Sequence, residues 1–178
     1  NLGKNRTMPL EHTHVDVEIA GPVARVEVKQ KYSNPFDNVI EAVYVFPLPE
    51  NSAVDGMRMV IGDRVIEGVI KEREEARQLY EEAKAAGKVA ALLEQERPNL
   101  FTQSVANIAP KMAIDIGIRY VQDLSYDSGK VEFVFPMVVG PRYLPEGRTT
   151  DETRINPPVL GRGDRPGHDI SLELKADA

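Results

Sequence analysis

Apolar and polar residues alternate along two stretches near the start of the chain. Apolar side chains occupy every second position in 15–19 and most alternate positions in 24–32, with Gly21-Pro22 between the two stretches. This period of two predicts a pair of β-strands that bury one face and expose the other. Residues 42–46 instead form an almost continuous apolar run that ends at Pro47 and Pro49. That run predicts a third strand, buried on both faces or nearly so.

The next stretch has the pattern of a β-hairpin. Met57, Met59 and Ile61 alternate with other residues up to Gly62-Asp63, and 65–70 continue with several β-branched residues. Two such runs joined by a short glycine-containing segment predict two antiparallel strands.

The hydrophobic period changes at Lys71. Apolar residues then recur at three and four positions among charged ones, and Gly87 follows where a left-handed helix cap belongs. We predict one amphipathic α-helix over about residues 71–86. Its stripe is expected to pack on a sheet, and consists of Ala76, Leu79, Tyr80 and Ala83.

Strand patterns resume after a polar segment that ends at Pro98. Further strands are predicted in 101–108, 114–120 and 131–135. Turn signals about every ten residues are typical of an antiparallel sandwich or barrel. A parallel sheet would need a helix between most strands, and one helix is predicted. The fold class is therefore mainly β, an antiparallel β-sandwich with one helix packed on it.

The composition changes beyond Gly140, where proline and glycine become frequent. We predict one β-sandwich domain over residues 1–143 and a Pro/Gly-rich extension over 144–178 that ends in a last strand at 170–174. That strand either pairs back onto the sandwich or opens a further domain.

Length and charge narrow the functional classes. The 178 residues are enough for one domain with a sizeable core. Lys and Arg number 22 against 28 Asp and Glu, a net charge of −6, which argues against a nucleic-acid partner. No window approaches the roughly 20 apolar residues of a membrane span, so we expect no direct membrane insertion. The first residue is Asn, and we expect a fragment whose targeting signals lie elsewhere.

The histidines give a weak indication of a metal site. His12 and His14 would share one face of a strand, a spacing that can chelate zinc or nickel, but His168 is distant and no acidic residue is spaced as an obvious third ligand. We interpret them as surface residues. Cysteine is absent, which removes thiolate sites and disulfides.

Two short motifs are interpreted as structural or accidental. Asp123, Ser125 and Asp127 nearly match the Asp-x-Ser-x-Ser metal-adhesion pattern of von Willebrand type A domains, but the surroundings predict a hairpin turn. The tripeptide at 162–164, Arg-Gly-Asp, matches an integrin-binding sequence, and chance explains so short a match.

Paired carboxylates are the strongest candidates for catalysis. Glu94 and Glu96 would share a face of a strand, with Arg97 beside them to keep one ionised. The structural alternative is a polar contact patch formed by Glu94, Glu96, Arg97 and Asn99, which joins the helix exit to a sheet edge or faces a partner. We favour the structural reading. No nucleophile elbow or Gly-rich phosphate loop is found, so no cofactor is predicted.

A series of short sequence words resembles one known family. They follow each other in order from Val15 to Tyr143 and resemble the vault protein inter-alpha-trypsin (VIT) domain, in bacterial proteins commonly followed by a von Willebrand type A domain. The words lie in 34–36, 41–49, 54–56, 61–68, 76–88, 92–102, 105–108, 118–121 and 135–143.

The resemblance implies a non-catalytic interaction module of a larger secreted or cell-surface protein. It implies a protein partner, a downstream type A domain of the same chain, with no catalytic, cofactor or metal residues carried over. The expected location is extracellular, periplasmic or surface-anchored. Two alternatives stay open: a small hydrolase using Glu94 or Glu96, and self-association through a strand edge. The oligomeric state is left open by the sequence.

Overall fold

A computed structural model describes residues 10–49, 51–97, 100–136 and 168–177. These ranges contain eleven strands and one helix. The elements are β1 (Leu10–Ala20), β2 (Val23–Ser33), β3 (Ile40–Pro47), β4 (Ser52–Ile61), β5 (Arg64–Glu67), α1 (Arg73–Ala85), β6 (Ala90–Arg97), β7 (Leu100–Ile108), β8 (Ala113–Asp123), β9 (Tyr126–Asp127), β10 (Lys130–Val131) and β11 (Asp169–Asp177).

Two sheets enclose the apolar core. The large sheet has the strand order β11-β1-β2-β8-β4-β5, and the small sheet has the order β3-β7-β6. The core joins the inward side chains of β1, β2, β4 and β8 to those of β3 and β7, and Val15, Val26, Ile116 and Tyr120 are among its most buried members. The predicted mainly-β sandwich is confirmed.

The first two strands and the hairpin are confirmed. Strands β1, β2 and β4 are longer than the sequence pattern predicted. β1 and β2 pair antiparallel around a turn at Gly21, whose positive φ suits glycine. β4 and β5 form the predicted hairpin through Gly62-Asp63, although β5 ends at Glu67 rather than continuing to Ile70.

The amphipathic helix is also confirmed. Gly87 has φ +71° and ends α1 as a left-handed cap, and the Lys88 amide donates to the Ala83 carbonyl. The stripe is only partly covered: Tyr80 is buried, whereas Leu79 is half exposed. The helix lies against the small sheet, which has three strands and buries only part of the apolar stripe.

Three details of the predicted strands are wrong. β3 is not buried on both faces, because it lies at an edge of the small sheet and Val43 is 59% exposed. The polar segment before Pro98 is strand β6, paired with β7, rather than a helix exit. The predicted strand 131–135 is reduced to the two-residue β10; Phe133 and Phe135 beyond it pack on the core without strand pairing.

The last strand returns to the sandwich as a parallel addition. β11 pairs with β1 over nine register positions, from His12 with Asp169 to Ala20 with Asp177. β1 is therefore interior to the large sheet, and β11 is one of its edges. This single parallel pairing departs from the antiparallel pattern of the rest, and it joins segments 157 residues apart in sequence.

Candidate functional site

The inner face of β11 is an apolar strip that the core does not cover. Leu172 lies in register with Val15 and Leu174 with Val17, so their side chains point to the same side of the sheet. Val15 and Val17 are almost wholly buried, but Ile170, Leu172 and Leu174 are each 43–47% exposed. We name these three residues the apolar strip. It combines apolar area with a strand edge at the end of the sheet, a surface suited to another protein.

The opposite face of the same two strands carries a continuous line of polar contacts. His12 Nδ1 lies 2.5 Å from Asp169 Oδ1, and His12 Nε2 lies 3.1 Å from Ser171 Oγ. The same Ser171 Oγ lies 2.7 Å from His14 Nδ1, and His14 Nε2 lies 3.1 Å from Asp16 Oδ1. We name Asp169, His12, Ser171, His14 and Asp16 the polar row. It ties β11 to β1 through side chains.

Both carboxylates that end the polar row are stabilised in their charged form. The Lys29 ammonium donates to Asp16 Oδ2 at 2.6 Å and, with His14, holds the pKa of Asp16 below its usual value. The contact with His12 lowers the pKa of Asp169 in the same way. The pKa of Lys29 is raised in turn by Asp16.

Two residues of the polar row and the neighbouring Glu173 form a candidate set of metal ligands. Ligand atoms of His14, Asp16 and Glu173 lie within 4.8 Å of one another. Sequence reasoning considered His12 and His14 but identified no acidic ligand: Asp16, two residues after His14 on the same strand, was overlooked, and Glu173 comes from β11, far along the chain. Polar and apolar residues alternate along this segment, which places Asp169, Ser171 and Glu173 on one face of the predicted strand. That alternation could have indicated further ligands, but it was interpreted only as evidence for a strand.

Glu94 is the one predicted patch residue whose side chain the structure places. It lies on β6, on the face away from the core and towards α1, and is almost fully buried. Arg77 Nε donates to Glu94 Oε1 at 2.6 Å, and Arg73 Nε lies 3.8 Å from the same oxygen. A guanidinium keeps its proton in proteins and so cannot serve as an acid or base partner. The arrangement is that of an anchor between helix and strand.

The rest of the predicted patch is not described in side-chain detail. The backbones of Glu96 and Arg97 belong to β6, while their side chains and the whole of Asn99 lie outside the described residues. A shared role for Glu94, Glu96, Arg97 and Asn99 stays a prediction.

Two further anchors of α1 were missed by the sequence reasoning. Tyr80 Oη donates to Glu41 Oε1 at 2.8 Å, and Lys84 Nζ donates to Glu41 Oε2 at 2.7 Å. Asn107, on β7, has φ +55° and donates from Nδ2 to the carbonyls of Lys84 and Lys88, each at 2.9 Å. Asparagine tolerates this conformation better than most residues, which was the only local signal for its role.

The metal-adhesion near-match is a turn, as predicted. Asp123 ends β8, and Asp127 begins a two-residue turn in which Ser128 and Gly129 have φ of +51° and +83°. Ser128 Oγ donates to Asp127 Oδ1 at 2.9 Å. The tripeptide at 162–164 lies outside the described residues.

An apolar groove separates α1 from the β4–β5 hairpin. It has a volume of about 300 Å³ and is lined by Met57, Met59, Ile66, Leu79, Val89 and Ala91, among others. Its charged lining residues are Glu67 and Lys71. The groove is therefore a second apolar surface rather than a cleft with converging acids.

Comparison with known proteins identifies relatives for most of the chain. The model of the vault protein inter-alpha-trypsin domain matches residues 10–120. The chain is 42% identical over 134 residues to human Protein mono-ADP-ribosyltransferase PARP4, which is 75% of this chain and 8% of that protein. The mouse counterpart is 41% identical over the same length.

A second group of relatives carries a different domain in its name. Human von Willebrand factor A domain-containing protein 5A is 31% identical over 175 residues, or 96% of this chain and 22% of that protein. The chain thus spans less than a quarter of the length of these curated relatives. Among the described residues, no helix has the length and apolar character needed to cross a membrane.

Proposed function

The chain belongs to the vault protein inter-alpha-trypsin domain family, and from this premise we propose that it is a non-catalytic interaction module of a longer protein. Its partner is a von Willebrand type A domain of the same protein, and its contact surface is the apolar strip on β11. The observation that carries the proposal is the half-exposed state of Ile170, Leu172 and Leu174 beside fully buried neighbours.

The comparisons support a protein-interaction role. Nearly the whole chain aligns with about a fifth of a protein named for its type A domain. A segment that belongs to the same protein as such a domain can contact it within one chain. We extend this association to the present chain as part of the proposal.

The physical argument concerns uncovered apolar area. A soluble domain gains roughly 25 cal/mol for each Å² of apolar surface that it removes from water. The apolar strip is only about half buried and lies on the strand that ends the large sheet. A packed neighbour would bury the other half, and it would also satisfy the backbone groups of β11 that point away from β1.

Catalysis by Glu94 is less well supported. Two arginines of α1 lie beside its carboxylate, and neither can exchange a proton with a substrate. Self-association through a strand edge stays an alternative, because β11, β5, β3 and β6 all end a sheet. The extracellular or surface location also stays a prediction.

The test measures binding between the 178-residue chain and the type A domain encoded by the same gene. We expect a 1:1 complex by calorimetry that weakens at least ~10-fold when Leu172→Ser and Leu174→Ser remove the centre of the strip, in line with the cost of truncating a buried anchor. Lys175→Ser, on the opposite face of β11, is the matched control and should bind as the wild type does.

Two outcomes would contradict the proposal. A gene without a type A domain would remove the partner, and equal binding by the strip variants and Lys175→Ser would place the contact elsewhere. Circular dichroism must show native strand content in each variant. Light scattering across a concentration series distinguishes self-association, which would appear as a mass above 19.8 kDa without added partner.

A further inference from the structure

The polar row contains more contacts than its neutral groups have hydrogens. Four contacts link Asp169, His12, Ser171, His14 and Asp16, and each needs one hydrogen between its two heavy atoms. Two neutral imidazoles and one hydroxyl supply three hydrogens in total. Both terminal aspartates are carboxylates at neutral pH, as aspartate side chains ordinarily are, and so contribute none.

Two arrangements each leave one contact without a hydrogen. In the first, His14 donates from Nε2 to Asp16 and accepts from Ser171 at Nδ1, and the contact left over is the 3.1 Å one between His12 Nε2 and Ser171 Oγ. The second arrangement leaves His14 Nε2 unprotonated. If His12 donates from Nδ1 to Asp169, its Nε2 accepts from Ser171, and Ser171 then accepts from Nδ1 of His14. His14 Nε2 is left with a lone pair 3.1 Å from the Asp16 carboxylate. In this second arrangement the two electron-rich atoms form a pair of ligands for a cation. The cation is either an added proton or a metal ion.

The geometry around His14 Nε2 favours a metal ion. Neighbouring ligand atoms of a tetrahedral zinc ion lie roughly 3.3 Å apart when the bonds are about 2.0–2.1 Å, close to the 3.1 Å between His14 Nε2 and Asp16 Oδ1. Glu173 brings a third ligand atom within 4.8 Å of the other two. Its side chain is 57% exposed and can close the remaining distance by rotation.

We propose that His14, Asp16 and Glu173 form a binding site for a divalent transition metal, with Zn²⁺ as the best-suited ion. One imidazole and two carboxylates are ligands that zinc accepts, and a protein site with three ligands leaves a position for water. Asp16 and Glu173 also line a surface cavity of about 280 Å³, which provides space for that water.

Ser171 and His12 support the site without contacting the metal. With a metal bound, Ser171 Oγ, 2.7 Å from His14 Nδ1, would accept the Nδ1 hydrogen and so leave Nε2 to bind the ion. His12, held by Asp169, orients the Ser171 hydroxyl. Such outer partners fix the tautomer of a metal-binding histidine.

Two lysines compete with the metal. Lys29 holds Asp16 through Oδ2, which leaves Oδ1 for the ion, but Lys175 lies 3.2 Å from Glu173 Oε1 and must be displaced. Replacing Lys175 by Gln should therefore strengthen metal binding. The bound ion would connect two residues of β1 to one of β11 and hold the edge strand in place.

The test is calorimetric titration of ZnCl₂ into the tag-free 178-residue chain near neutral pH. We expect one ion per chain, and a rise in the thermal midpoint with Zn²⁺ that EDTA reverses. His14→Ala should weaken binding at least ~100-fold and Ser171→Ala roughly 10-fold, as lost ligands and outer partners do. His168→Gln, which changes the histidine outside the polar row, should leave the affinity unchanged.

A second variant and a spectroscopic measurement distinguish loss of metal binding from loss of folding. His14→Gln keeps an amide that can bond to Ser171 but supplies no nitrogen ligand, and its melting temperature in EDTA should match the wild type. Co²⁺ bound to the wild type should give visible absorption bands that His14→Gln lacks. No heat of binding up to millimolar Zn²⁺ would overturn the proposal. Zn²⁺ binding that His14→Ala retains would also overturn it.

Discussion

Arg77 and Glu94 form the contact that joins the helix to the small sheet. The guanidinium Nε lies 2.6 Å from a carboxylate oxygen whose side chain is only 6% exposed. Charge-assisted bonds of this kind are among the stronger polar contacts in proteins. For Glu94, the geometry is that of a structural anchor rather than of an exposed acid.

Replacing Glu94 by Gln should therefore lower stability. We expect the free energy of unfolding to fall by about 1–3 kcal/mol, because the Arg77 contact loses its charge in a buried position. Chemical denaturation of the chain measures the loss. Glu74→Gln is the matched control: Glu74 lies 3.8 Å from Arg77 on the helix surface and should change stability by less than about 0.5 kcal/mol. Equal effects of the two variants would contradict the anchor.

Glu41 predicts a pH dependence on the acid side. Burial would raise its pKa, but the hydrogen bonds from Lys84 and Tyr80 outweigh that effect and hold the pKa below 4.5. Because the folded pKa is depressed, the stability that Glu41 contributes is complete above its unfolded pKa and is lost as the pH falls through the folded pKa.

The measurement compares wild type with Glu41→Gln by urea unfolding at several pH values. At pH 7 the variant should be less stable, and the gap should close between about pH 5 and pH 3, where the wild-type carboxylate takes up a proton. A gap that stays constant over this range would show that Glu41 contributes through packing instead of charge.

The buried amide of Gln103 leads us to predict a substitution that increases stability. Its side chain is fully buried on β7, and neither its amide nitrogen nor its amide oxygen has a hydrogen-bond partner among the described residues. A buried polar group without partners costs about 1–3 kcal/mol. Gln103→Met keeps the volume and should raise the free energy of unfolding by an amount in that range. Gln78→Met, on the exposed surface of α1, serves as the control; destabilisation by Gln103→Met would reveal a partner for the amide.

The positive φ of Asn107 leads us to predict that two substitutions at this position differ in stability. Asn107→Ala and Asn107→Gly both remove the bonds to the carbonyls of Lys84 and Lys88, but alanine keeps a Cβ at φ +55° whereas glycine does not. The alanine variant should be less stable than the glycine variant by roughly 1–2 kcal/mol, the cost of the left-handed conformation. Thermal unfolding of both variants checks it, and equal stability would contradict a strained backbone here.

Local sequence patterns were enough to predict most of the strands and the helix, but not which strands pair with each other. Period two in 15–32 and period 3.6 in 71–86 depend only on which face of an element is buried, and both predictions were confirmed. Strand 131–135 failed because Phe133 and Phe135 pack on the core without strand pairing, and apolar alternation alone does not distinguish the two.

The candidate site required the long-range pairing. Asp169, Ser171 and Glu173 meet His12 and His14 only because β11 adds to β1 in parallel, and nothing in either segment alone specifies that register. The words of the domain end at 143, and residues 154–174 resemble only the extension that follows the domain in relatives, so the resemblance did not specify how β11 pairs. The polarity of Glu94 within an apolar region identified it as a candidate residue. Its contacts with the arginines of α1 were not predicted from the sequence.

Hydrogen–deuterium exchange of the full-length protein tests the central proposal most directly. The backbone amides of β11 that point away from β1 belong to the open edge of the sheet in the 178-residue chain and should exchange rapidly. If a type A domain packs on the apolar strip, exchange across Asp169–Asp177 should slow in the longer protein, and Leu172→Ser should restore it. Unchanged exchange in this strand, with protection appearing elsewhere on the domain, would contradict the account.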